Sequence, residues 1–140
     1  MSKTKLKQHL LTLSKEQVIN LMLDLYSASK EANKWLEFYL EPNFEAELQK
    51  AKKAIHKQFF GSIESYPSFR ECNKVVSSFK KLVSDPQTNA ELMLYYVEQG
   101  CEFTEEYGDC ESEFYTALEN NFYKAVKYMS QNGLLPKFAP

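Results

Sequence analysis

Apolar residues recur every third or fourth position along almost the whole chain, which is helical rather than strand spacing. "TKLKQHLLTLS" predicts a short first helix with Leu6, Leu10 and Leu13 inward. A second opens at Ser14, where "SKEQ" reads as a capping box with Gln17 at N3. Its inward stripe is Val18, Leu21, Met22 and Leu25. "SASKEANKWLEFYLEPN" gives a third, with Ala32, Trp35, Leu36 and Tyr39 inward, stopping before Pro42. The fourth runs from about Phe44 to Phe60 between Asn43 as cap and Gly61 as stop, carrying Leu48, Ala51, Ile55, Phe59 and Phe60.

"GSIESYPS" reads as a loop, after which Ser68 caps a fifth helix carrying Phe69, Cys72, Val75, Val76, Phe79 and Leu82. "SDPQ" marks another boundary, with Asp85 at N-cap and Pro86 at N1, where its missing N–H costs nothing. The sixth helix reaches about Tyr107. The seventh runs from about Glu111 to Asn132 and ends at Gly133. "MLYYV" has strand propensity, but its flanks continue at helical spacing. The reading is therefore all-α, with about seven helices in stacked antiparallel pairs (two with three, four with five, six with seven). A helical bundle and a short solenoid-like array both satisfy it.

Length sharpens this picture: 140 residues suit a single domain, 1–140, with a core that needs no staples. At 44% hydrophobic and 26% charged, the chain falls with globular rather than disordered sequences. No stretch reaches the roughly 18 apolar residues of a membrane span. The N-terminal apolar run is too short and too soon interrupted for a signal peptide. Cys72, Cys101 and Cys110 are odd in number and lack CxxC spacing, so reduced thiols and a cytoplasmic location are expected.

Charge is unevenly spread. Residues 1–70 carry 11 basic and 8 acidic side chains, net +3; residues 71–140 carry 6 and 11, net −5. Ten acidic residues and no Lys or Arg lie between Lys81 and Lys124. They concentrate in "EFTEEYGDCESEFY", where six carboxylates surround one glycine. On a helix, Glu98, Glu102 and Glu105 share the face opposite Ala90, Met93, Leu94, Val97, Gly100, Cys101, Thr104 and Tyr107. Glu106, Asp109, Glu111 and Glu113 extend the acidic corner, and Phe103, Tyr107, Phe114 and Tyr115 pin it.

This corner has a bland use, as a solvated face, and three sharper ones. It can dock a basic protein or the basic half of a second copy. It can bind Ca²⁺ or Mg²⁺, although EF-hand spacing is absent and a helix spreads carboxylates along a line. It can supply a catalytic carboxylate pair, although only one wall of such a cleft is visible.

Other chemistry is weaker still. Neither His9 nor His56 has a Glu three residues before it (Leu6 and Lys53 stand there), so a di-iron bundle is not expected. Cys72 and Cys101 read as core, and Cys110 sits among acids, a poor setting for a nucleophile. Lys50, Lys53 and Lys57 form a basic stripe, but Arg70 is the single Arg, so nucleic acid is not the expected partner. Gly100, inside the sixth helix, implies close approach of the seventh or a kink.

The segments "LSKEQVINLMLDLY", "WLEFYLEP", "MLYYVEQGCEFTEEYGD" and "NGLLPKF", in that order, resemble a domain-of-unknown-function family of small, uncharacterised all-helical bacterial proteins. "EFT..YGD" is the most specific part, and the resemblance spans nearly the whole chain. It implies the all-helical fold and assigns no activity.

The expectation is thus a non-enzymatic cytoplasmic interaction or structural module. Its candidate surface is Glu98, Glu102, Glu105, Glu106, Asp109, Glu111 and Glu113, with no catalytic residue, cofactor or metal ligand assigned. The alternative is a metal-binding or carboxylate-based enzyme using the same acids.

Overall fold

A computed structural model describes residues 2–61, 66–108 and 110–138. Its regular elements are α1 (Lys3–Leu11), α2 (Lys15–Ala28), α3 (Lys30–Leu40), α4 (Phe44–Phe60), α5 (Phe69–Leu82), α6 (Pro86–Tyr107), α7 (Ser112–Gln131) and α8 (Leu135–Phe138). No strand occurs among the described residues. The seven predicted helices are present, and α8 is a single added turn. Most of the predicted "GSIESYPS" loop, residues 62–65, and Asp109 of the acidic corner lie outside the described residues.

Helix starts follow local chemistry. The side chains of Ser14, Ser29, Asn43, Ser68 and Asp85 each accept the N–H of the residue three ahead, satisfying a donor that has no intrahelical partner. At Ser14 the Gln17 side chain reciprocates, completing the capping box. The end of α7 is a Schellman motif: Leu134 N–H donates to Met129 O at 2.8 Å, and Gly133 takes the left-handed φ of +67° that the motif needs.

The chain forms two compact units, Met1–Pro42 and Asn43–Pro140. In the first, α2 packs on α3, and the Tyr26 hydroxyl donates to Glu37 across the pair. None of its three helices has a buried residue. This corrects the predicted inward stripes: Leu6, Leu21, Met22, Leu25, Trp35 and Tyr39 are all exposed. On α2 the apolar arc runs from Leu21 and Leu25, through Val18, Met22 and Tyr26, to Ile19 and Leu23. That exceeds half the circumference, and a single neighbouring helix cannot cover it.

The second unit holds the core. Helix α6 is central and packs on α4, α5 and α7. Phe59 on α4, 1% exposed, is the hub of an aromatic cluster. Its ring lies 5.8 Å from Phe69, 6.2 Å from Tyr96, 6.1 Å from Phe103 and 6.4 Å from Phe114. A second, aliphatic region joins Ala90, Met93, Ala125, Met129 and Leu134.

Candidate interaction surface

The acidic corner is built on the C-terminal half of α6. At the other end, buried Asn89 fixes the entry of this helix by donating to Val83 O at 2.8 Å and Asp85 O at 3.0 Å. At its C-terminus, Gly108 N–H donates to Thr104 O at 2.9 Å, and φ of +82° at Gly108 turns the chain away. The turn is pinned from α7, where the Tyr115 hydroxyl accepts Cys110 N–H at 3.2 Å. Phe103 stacks on Phe114 at 5.5 Å and packs at a tilt against Tyr107 at 4.8 Å. The predicted aromatic pinning is therefore present.

Burial on α6 includes Ala90, Met93, Val97 and Gly100 of the predicted face and extends beyond it on one side. Leu92, Tyr96, Gln99 and Phe103 are buried, whereas Cys101 and Tyr107, assigned inward from the sequence, are exposed. The cause is the position of α6 between neighbours: α4 packs on one side and α7 on the other, which widens and shifts the covered arc. Gly100 is buried against α7 because Leu118 occupies the space that a β-carbon would need. The close-approach reading thus holds, with Leu118 of α7 as the neighbour.

Glu98, Glu102, Glu105, Glu106, Glu111 and Glu113 are all exposed. The ion pairs found among the described residues are Lys50–Glu47 and Lys74–Glu71, so none of the six is neutralised there. Nor do any three His, Cys, Asp or Glu side chains among the described residues converge as metal ligands. The acids follow the outside of the helix and its turn, a layout suited to a surface contact.

One acid is tied inward. Glu102 Oε2 accepts from Gln99 Nε2 at 3.2 Å, and Gln99 Oε1 lies 2.6 Å from His56 Nδ1 on α4. Gln99 is only 4% exposed, so this buried amide joins the acidic corner to the basic side of α4. There, Gln49, Lys52, Lys53, His56, Lys57, Gly61 and Tyr95 line an open groove of about 580 Å³. Lys52 Nζ stands 5.3 Å over the Tyr95 ring. Burial, then the charges of Glu102 and Glu98, push the Tyr95 hydroxyl pKa up. Lys50 does not line this groove and pairs with Glu47 at 3.4 Å.

The sequence reading missed Gln99, Tyr95 and Lys52. A signal existed for Gln99: Leu92, Tyr96, Gln99 and Phe103 recur at i, i+4, i+7 and i+11, which puts a polar residue on a second buried stripe.

Neither Cys72 nor Cys101 is an activated thiol. Cys72 is fully buried, and burial followed by the Glu71 charge pushes its thiol up to about 12. The exposed Cys101 thiol is also raised, by partial desolvation from its neighbours and then by Glu105, Glu98 and Glu102. All three cysteines are free.

The family model described as "Family of unknown function (DUF6155)" matches residues 1–140. The chain belongs to the DUF6155 family. No curated protein and no solved structure matches it. Membership assigns no activity to the acidic corner or to the α4–α6 groove of this chain. No helix among the described residues is long and apolar enough to cross a membrane.

Proposed function

We propose that this protein is a non-enzymatic interaction module of the cytoplasm, whose acidic corner docks on a basic protein surface. The observation that carries the reading is the row of exposed acids at Glu98, Glu102, Glu105, Glu106, Glu111 and Glu113, unpaired among the described residues and mounted on a rigid aromatic corner. Such a field speeds association with a cationic partner and selects against acidic ones. Asp109 belongs to the same stretch of sequence. The cytoplasmic assignment rests on the three unbonded thiols.

The test is affinity capture from native lysate at low and high salt. Wild type should enrich a basic protein, and Glu102→Gln/Glu105→Gln/Glu106→Gln should lose it. Equal capture by both forms sinks the proposal. The rival use of these acids, as a metal-dependent site, predicts a saturable rise in melting temperature with Ca²⁺, Mg²⁺ or Mn²⁺ that Glu102→Gln abolishes.

A further inference from the structure

The first unit exposes more apolar surface than a two-helix hairpin sustains in water. Ile19, Leu21, Met22, Leu23 and Leu25 on α2 and Trp35, Tyr39 and Leu40 on α3 are exposed, at 44% for Leu21 and up to 76% for Leu40. Taking about 200 Å² for a large, fully exposed side chain, they leave roughly 900 Å² in contact with water. That total is spread over two flanks of α2 and the exposed face of α3; the largest single apolar patch on a typical monomer is about 300–600 Å². Trp35 and Tyr39 stack at 5.7 Å and 7°, so their surface is presented as one flat block.

We propose that the α2–α3 hairpin is a self-association element, through which two copies of the chain pack as a four-helix bundle. Three observations select a second copy as the occupant. A standard interface removes about 800 Å² from each partner, rather more than half of it apolar, so one flank of α2 with the Trp35–Tyr39 block is enough. A two-fold interface sets that flank against its own equivalent, which matches apolar area to apolar area. Charge permits it: Lys15–Leu40 carries three Lys and four carboxylates interspersed along both helices, so no long like-charged block faces itself, unlike the acidic corner. The second unit has its own core around Phe59 and around Ala90, Met93 and Met129, so its folding does not depend on this contact. The inference is independent of the acidic corner, whose residues lie outside the hairpin.

Sedimentation of the full chain over a wide concentration range is the test, with fluorescence of Trp35, the single Trp, read on the same samples. The expected result is twice the 16.3 kDa chain mass at high concentration. On dilution the mass should halve and Trp35 emission should move to longer wavelength. Ile19→Glu/Leu23→Glu and Leu21→Glu/Leu25→Glu charge the two flanks with a good helix former. At least one of them should give the monomer mass at every concentration, with the melting of the second unit unchanged, while Leu25→Met stays dimeric. A monomeric wild type overturns the proposal: shielded, concentration-independent Trp35 emission assigns the face to the same chain, and exposed emission assigns it to another protein. A dimer that survives both flank variants overturns it as well.

Discussion

His56 Nδ1 on α4 lies 2.6 Å from the side-chain oxygen of Gln99 on α6, and the same amide donates to Glu102 at 3.2 Å. One nearly buried side chain thereby spans a basic groove and an acidic corner. Removing His56 leaves the nearly buried Gln99 oxygen without its partner, which costs about 1–3 kcal/mol, whereas removing Gln99 leaves an exposed His56 that water can solvate. His56→Ala should fall in that range by urea unfolding, and Gln99→Ala should lose the same contact without leaving a buried polar atom unsatisfied. The double variant should cost markedly less than the two single changes added together, because both remove one interaction. Strict additivity would show that the two side chains act separately.

Gly100 and Leu118 give a prediction of changing sign. Alanine at a helical glycine normally adds about 1 kcal/mol of stability. Here a β-carbon collides with Leu118, and overpacking costs about 1–3 kcal/mol. Gly100→Ala should therefore be neutral to destabilising in the wild type. In a Leu118→Ala background it should stabilise by about 1 kcal/mol. Denaturant midpoints of the four proteins in the cycle decide the point.

Alkaline stability follows from Cys72 and Tyr96. The Cys72 thiol is pushed up to about 12 from 9.0, and burial also raises the Tyr96 hydroxyl, followed by the Cys72 charge. Both groups hold their proton more tightly folded than unfolded. Their contribution is complete below the unfolded values and declines as pH rises through and above about 9, where the unfolded chain loses protons first. Unfolding free energy should fall from about pH 9 upward, by up to roughly 1.4 kcal/mol per pH unit for each group. Cys72→Ala should shallow that decline without moving its onset earlier.

The acids on α6 repel one another. Glu98 and Glu102 stand at i, i+4, a like-charge spacing that costs about 0.2–0.5 kcal/mol. Glu98→Gln should raise stability by about that amount at low ionic strength. The gain should vanish in 1 M salt, where the screening length is about 3 Å. A gain that persists in high salt would mean that packing, not charge, is responsible.

What the sequence determined was local. Ser14 with Gln17, Asn43, Ser68, Asp85 before Pro86, and Gly133 before Leu134 each set a helix end through contacts within a few residues, so spacing alone locates them. Phe103 and Phe114 were legible as the pins of the corner for the same reason, since only a tight turn separates their helices. Tertiary structure decided which arc of each helix is covered, because burial depends on where neighbouring helices lie. On α6, the packing of α4, α5 and α7 together buries Leu92, Tyr96, Gln99 and Phe103 and leaves Cys101 in solvent. On α2 and α3, helical spacing of the same quality ends at exposed Leu25 and Trp35, because periodicity records that a face is apolar and not what covers it.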